Sequence, residues 1–358
     1  VQKNLKADVR YTEQTKVLLC SVSQQEGSLR TSISVKTLNL SFLKINSNQN
    51  DKNIIMIKFI DPNSPVKIDR IVTVIYGPPN CGKTTLASMA SRPFNLDIER
   101  GIHRSYQRIA SANIDKFSDI FELSANNFAN YDTIIIDTLG ALIDACIDEL
   151  LKDPKNGSDG ALSLKGYGKL KSRMAGVHRH LFSLGKDLVY LAHVKEKSGN
   201  DGKTVYKLDA TGTFPADLVK SAELMGRISM HGEQPVVKFV PDDLGEAKIP
   251  RSLGIVELPI PHYLEKRNFL ADIIRDTKDA LSSLSEERSV LAEEQSSISS
   301  RLETIETPEE LTELASSLKA EYSGKVLDVA RAMVLKKAKE LGCAWDNTTS
   351  TFVLEKKQ

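Results

Sequence analysis

The sequence predicts an α/β fold, a mostly parallel sheet flanked by helices, carrying a helical, coiled-coil-like arm at its C-terminal end. Three observations lead there. Between residues 71 and 192, short apolar runs at 71–76, 94–98, 133–136 and 188–192 alternate with helical stretches. Their β-branched residues lack polar alternation, which marks strands buried on both faces. A glycine-bounded segment, 77–84, falls between the first of these strands and a helical stretch at 84–90. Beyond Pro261, apolar residues recur at alternating spacings of four and three.

The chain has 358 residues, 41% of them hydrophobic, enough for one large core with appendages. With 48 basic against 47 acidic residues the net charge is +1, so any surface for a polyanion must be local. The four cysteines, Cys20, Cys81, Cys146 and Cys343, lie far apart without CxxC spacing, which argues against a zinc site or a disulfide framework. No apolar run reaches the roughly 18 residues of a membrane span, and no charged-then-apolar leader pattern opens the sequence. These features predict a cytoplasmic protein that does not contact a membrane.

Residues 1–55 are rich in Ser, Asn, Gln, Thr and Lys, with alternating stretches at 18–22 and 33–43 that fit edge strands. The first methionine, Met56, directly precedes an apolar run at 57–60, so 1–55 reads either as an N-terminal extension or as a small β subdomain. Residues 56–262 form the predicted core, whose later runs at 224–230 and 235–240 are strands joined by a turn at Gly232. Residues 263–306 carry a heptad seam of Leu270, Ile274, Thr277, Leu281, Leu284, Arg288, Leu291, Gln295, Ile298, Leu302 and Ile305. Arg288 and Gln295 weaken it, pointing to a short coiled coil or αα-hairpin. In 307–358, Thr307, Pro308 and Glu310 supply an N-cap, a first-turn proline and a capping-box glutamate. A further helix is expected over 325–341, closed by Gly342, and a terminal hairpin over 345–353 with its turn at Asp346 and Asn347.

Gly77, Pro78, Pro79, Asn80, Cys81, Gly82, Lys83 and Thr84 satisfy GxxxxGK[ST] between a strand and a helix, the context a phosphate-binding P-loop requires. The glycines let backbone N–H groups wrap phosphates, Lys83 neutralises the β and γ phosphates, and Thr84 is a Mg²⁺ ligand, with Thr85 beside it. ATP and Mg²⁺ are the expected cofactors. Asp137, at the end of the run 133–136, is the expected second Mg²⁺ partner, acting through water. Glu99, closing the run 94–98, is the candidate base for an attacking water; the alternative is a surface ion pair with Arg100. His193, at the end of 188–192, is a candidate sensor of the γ-phosphate.

This ordered set resembles the RecA-like recombinase core, most closely the compact phage-type RecA-like ATPases that include the Sak group of single-strand annealing proteins. The resemblance covers about 71–240 and rests on the P-loop and on Leu96-Asp97-Ile98-Glu99. It also rests on Ile136-Asp137-Thr138-Leu139-Gly140-Ala141-Leu142 and on Leu191-Ala192-His193-Val194-Lys195. That family usually has glutamine where His193 stands. The resemblance implies a catalytic role for Glu99, Lys83, Asp137 and His193. It further implies two mobile loops that contact single-stranded DNA, here about 152–171 and 195–214. Lys165, Lys169, Lys171, Lys197, Lys203 and Lys207 are the DNA-binding candidates, with Tyr167, Tyr206 and Phe214 as stacking platforms. Lys220, with Arg227 as runner-up, resembles the lysine that reaches a neighbouring subunit's γ-phosphate, which implies a homo-oligomer, ring or filament.

The expected function is therefore ATP-dependent DNA recombination by annealing or strand exchange on single-stranded DNA, with a single-strand binding protein as a possible partner of the arm. A replicative-helicase motor, a small-molecule P-loop kinase and a nucleotide-gated scaffold are the rivals. The first would need a helicase-type N-terminal helical domain and the second an arginine-rich lid; the sequence shows neither.

Overall fold

A computed structural model describes residues 19–25, 28–34, 61, 64–105, 107–198 and 204–354. In chain order, β1 (Leu19–Gln25) and β2 (Ser28–Ser34) pair as an antiparallel hairpin, so this part of the polar N-terminal region is β structure. The expected strand at 33–43 lies mostly outside the described residues. Next come β3 (Val72–Gly77), α1 (Lys83–Ser88), β4 (Pro93–Asp97), β5 (Ala110–Asn113), β6 (Thr133–Asp137) and α2 (Leu139–Leu151). A minute hairpin, β7 (Gly157–Ser158) and β8 (Ala161–Leu162), leads into α3 (Leu164–Ser183). Then follow β9 (Asp187–Ser198), β10 (Thr204–Leu208), α4 (Phe214–Ser221), β11 (Leu224–His231), β12 (Gln234–Lys238) and β13 (Glu257–Pro259). The chain continues with α5 (Phe269–Glu303), α6 (Pro308–Glu321), α7 (Gly324–Glu340), β14 (Cys343–Asp346) and β15 (Thr351–Leu354).

The described residues include a nine-stranded sheet ordered β13-β12-β11-β3-β9-β6-β4-β5, with β10 added to the far part of β9. The six strands from β11 to β5 run parallel; β10 and β12 run against them, and β13 pairs antiparallel with β12. This is the RecA-like arrangement, in which β9 separates the P-loop strand β3 from the strand β6 that ends in Asp137. Parallel strands need both faces covered. Along β3, Val72, Val74 and Tyr76 face one layer while Ile75, with Ile71 just ahead of the strand, faces the other. The first layer is completed by α2, α3 and α4, through Leu142, Met174, Leu181 and Leu218; the second by α1 and α5, through Leu86, Leu270 and Ile274.

The chain divides into a unit spanning 66–287 and a unit comprising 1–65 and 288–358. The division falls inside α5, whereas the heptad pattern places it at 262/263. The early seam residues Leu270, Ile274 and Leu281 belong to the core of the first unit, and Lys278 on the same stretch pairs with buried Asp187 at 2.6 Å. Only the later ones, Ile298 and Leu302, pack with α6 and α7 in the second unit. There the capping box forms as expected, Thr307 Oγ1 accepting from Glu310 N–H at 3.3 Å and Glu310 accepting from Thr307 N–H at 3.1 Å. Gly342 ends α7 at φ +66°, and β14 and β15 form the terminal hairpin.

Candidate nucleotide site

In a parallel sheet the strand C-terminal ends share one edge, and the topology brings four functional segments there side by side. Gly77 pairs with His193, and Asp137 pairs with both Asp97 and Leu191 in the strand registers. The P-loop itself demands its glycines. A Cβ on Gly77 would lie 2.8 Å from Cys81 Sγ and 3.0 Å from the Ile228 carbonyl oxygen, while Gly82 enters α1 at φ +90°.

Lys83 is buried, and its Nζ donates to the carbonyls of Gly77 (3.1 Å) and Pro78 (2.7 Å). It also lies 3.3 Å from His193 Nδ1. Burial pulls the ammonium below its ordinary pKa, against the pull of Cys81, Asp137 and Glu99. Thr84 Oγ1 donates to Asp137 Oδ2 at 2.8 Å. Asp137 is pushed up to about 6, chiefly by burial, with Glu99 and Asp97 adding repulsion and the Thr84 hydrogen bond opposing. A hydroxyl and a buried carboxylate held together in this way fit Mg²⁺, a hard cation that takes few protein oxygens and completes its shell with phosphate and water. No cluster of three or more His, Cys, Asp or Glu side chains suited to a metal occurs among the described residues.

Glu99 does not pair with Arg100, whose guanidinium goes to Asp115. It turns to the neighbouring strand ends instead, with Oε1 accepting from Thr138 Oγ1 at 2.5 Å and lying 3.6 Å from His193 Nε2. His193 therefore bridges the P-loop lysine and the candidate base. Asp97, the other carboxylate of that strand end, is taken up structurally, accepting from the backbone N–H groups of Gly101 and Ile102 at 2.8 and 2.9 Å. Thr138 is a site residue that the sequence does not single out. It caps α2 by accepting from Ala141 N–H at 3.4 Å and holds Glu99 with the same hydroxyl.

The two expected loops are ordered differently from the sequence reading. Residues 164–171 are not a mobile loop but the first turns of α3, so Lys165, Lys169 and Lys171 sit on a helix. Ser163 caps it, and Gly166 is packed so closely that a Cβ would approach the Asn156 carbonyl oxygen to 2.1 Å. Lys169 donates to Asn156 Oδ1 at 2.6 Å and Lys171 pairs with Asp217 at 3.0 Å, leaving Lys165 the free cation of the three among the described residues. The second segment is the β9–β10 hairpin, on which Lys197 and Lys207 are exposed; Lys203 lies outside the described residues. Lys207 stands directly opposite Lys195, and Lys197 is two residues further along, so all three lysines share one face. Asp209 approaches Lys195 only to 4.0 Å. Tyr206 instead faces the opposite side, with its N–H bonded to the Leu244 carbonyl at 2.7 Å.

Lys220 is exposed at the end of α4, just ahead of β11, whose first residue pairs with Thr73. It thus lies at the edge of the sheet opposite the P-loop of its own chain. Arg227 does not serve as an alternative. It is buried, with Nη2 donating to Asp242 Oδ2 at 2.6 Å and its guanidinium 5.8 Å from the Tyr206 ring centroid.

None of the curated proteins matches the chain. Among solved structures, the flagellar accessory protein FlaH from Methanocaldococcus jannaschii is similar at 12% identity and a TM-score of 0.28, over 50% of this chain and 82% of that one. The family described as AAA domain matches residues 69–251, more than half of the sequence, and encloses every element of the site from the P-loop to His193. The chain belongs to that AAA-domain family, with a P-loop nucleotide site on a RecA-like sheet.

Proposed function

We propose that the protein is an ATPase that assembles on single-stranded DNA and acts in recombination, by annealing or strand exchange. The observation that carries the nucleic-acid part is the row of Lys195, Lys197 and Lys207 on one face of the β9–β10 hairpin. Like charges directly opposite on paired strands repel. A phosphate backbone running along that face relieves the repulsion and releases counterions. The same strand carries His193 two residues before Lys195, so the hairpin and the nucleotide site share one continuous element.

In the hydrolytic step, Lys83 exchanges its two carbonyl partners for phosphate oxygens, and Thr84 and Asp137 are the residues that would hold Mg²⁺. The bound cation would neutralise charge on the β and γ phosphates. Glu99 takes the proton of the attacking water, held by Thr138 in reach of the γ-phosphate position. His193, between Lys83 and Glu99, is placed to report γ-phosphate to the hairpin. Lys220 cannot reach its own chain's phosphates, so the reading assigns it to a neighbour's site in a homo-oligomer.

The test is the ATP hydrolysis rate with and without single-stranded DNA, at two protein concentrations. Stimulation by DNA that grows with protein concentration is expected. Lys197→Glu with Lys207→Glu should remove the stimulation and spare the basal rate. A rate indifferent to DNA in the wild type, or unchanged stimulation in the double variant, would overturn the reading in favour of a kinase or a scaffold.

A further inference from the structure

In the unit that includes residues 288–358, the end of α5, α6, α7 and the β14–β15 hairpin share a core of Ile298, Leu311, Leu318, Val334 and Phe352. Only Tyr322 and Ser323 separate α6 from α7, and Gly324, at φ +57°, supplies the sharp change of direction. The order is therefore helix, helix, tight turn, helix, two-stranded hairpin. That element order is shared with helix–turn–helix modules, whose second helix enters a DNA groove.

The surface of α7 agrees with that role. Ala330, Val334 and Ala338 face inward, four residues apart. About 100° round the helix from that buried row, Arg331, Leu335 and Lys339 form an exposed row, with exposed Ala332 and Lys336 beyond it. Five of the seven charged residues of α7 are Lys or Arg, whereas α6 carries four glutamates against Lys319. The acids Asp328 and Glu340 are exposed as well, so α7 carries five cations against two acids and α6 one cation against four. Lys336 and Lys339 meet no carboxylate among the described residues, and Arg331 has only exposed Asp328 at 3.8 Å. On the adjoining hairpin, Trp345 is 43% exposed; residues 347–350 are uncharged, and Asp346 at the turn accepts from the Thr348 N–H at 2.7 Å.

We propose that this C-terminal unit binds double-stranded DNA, with α7 in the major groove and the hairpin against the neighbouring backbone. An α-helix with its side chains is about 10–12 Å across and the major groove about 12 Å wide, so the fit is one of shape as well as charge. Ala332 and Leu335 lie where base edges and thymine methyls would meet the helix, and Arg331, Lys336 and Lys339 reach the flanking phosphates. This surface is independent of the β9–β10 hairpin and of the reading given to it.

The experiment uses the full chain without nucleotide and a fluorescent duplex of about 24 base pairs, roughly two turns of B-DNA, with anisotropy measured over a salt series. The wild type should bind the duplex and keep it against an equal mass of unlabelled single strand. Arg331→Glu with Lys336→Glu and Lys339→Glu should weaken binding at least ~100-fold at low salt and flatten the log–log salt slope by about 3, since each neutralised phosphate contributes about 0.9. The conservative pair Lys336→Arg and Lys339→Arg should bind as the wild type does, which separates lost charge from lost folding. Basal ATP hydrolysis should be unchanged in both. Duplex affinity unaltered by the three reversals would overturn the proposal. So would a wild type that yields the duplex to single strand, which would make this face a single-strand surface, or one that ignores both nucleic acids, which would leave it to a protein partner.

Discussion

Asp137 is held in a charged form that the fold alone disfavours, and replacing it by asparagine should make the protein more stable while destroying its activity. The carboxyl is buried and titrates near 6 in the folded chain against an ordinary value of 3.8. In the unfolded chain it ionises at the lower pH, so above about pH 6 folding works against the ionised group. The difference corresponds to about 3 kcal/mol at neutral pH. An asparagine at this position would still accept the Thr84 hydroxyl through its amide oxygen and would remove the repulsion from Glu99 and Asp97. Asp137→Asn should therefore gain up to about 3 kcal/mol at pH 7.5, on the order of 5–10 °C in the melting of this unit. The gain should shrink as pH falls from 6 and vanish below about 4, where the wild-type carboxyl is protonated in both states. The assay is thermal unfolding of both proteins from pH 4 to 8 without nucleotide or divalent cation, beside Mg²⁺-dependent ATP hydrolysis, which should be lost. A variant less stable than wild type at pH 7.5, or a gain independent of pH, would refute the argument that burial sets this group's energy.

Thr138→Val keeps the shape but removes the hydroxyl that holds Glu99, and a freed base should lower kcat by roughly 10- to 100-fold with KM for ATP little changed, short of the roughly 10²–10⁴-fold expected for Glu99→Gln. Steady-state kinetics of the two variants check this, and equal kcat for Thr138→Val and wild type would reject the positioning role. Two glycines of α3 should respond in opposite directions although they are two residues apart. Gly166→Ala places a methyl group 2.1 Å from a backbone carbonyl and should cost ~1–3 kcal/mol, whereas Gly168→Ala meets nothing within 4 Å and should gain up to about 1 kcal/mol in urea unfolding.

The site residues legible in the sequence are those whose chemistry is tied to a local pattern. Gly77 to Thr84 announces itself because strand, glycines, lysine and helix are consecutive, and Asp137 because it ends an uninterrupted apolar run; Glu99 closes the run 94–98, which carries Asn95 and Asp97. Thr138 is invisible there for the opposite reason. Its partner Glu99 is 39 residues away and becomes a neighbour only because β4 pairs with β6 in the sheet, a fact carried by no short segment.

The same distinction explains the misread segments. Gly166 and Gly168 among lysines look like a loop, since glycine costs a helix about 1 kcal/mol. At Gly166 the helix uses that absence of a side chain to pack against Asn156, and buried Leu170, Met174, Val177 and Leu181 supply the apolar stripe that holds α3 in place. The heptad seam of α5 is ambiguous in a different way, because a 3–4 spacing describes any helix with one apolar stripe. Leu270 to Leu281 bury that stripe against the sheet of the first unit, and Ile298 and Leu302 bury it against α6 and α7, so one continuous pattern serves two cores. Toward Ser198 the lysines of the second expected loop fall in an antiparallel ladder whose like-charged faces no propensity favours. The strand persists there because it continues β9, whose register is fixed by β3 and β6 on either side of it. From Val194 to Ser198 its partner among the described residues is β10 alone, over five residue pairs, so the like-charged face rests on a strand whose position is set before the lysines begin.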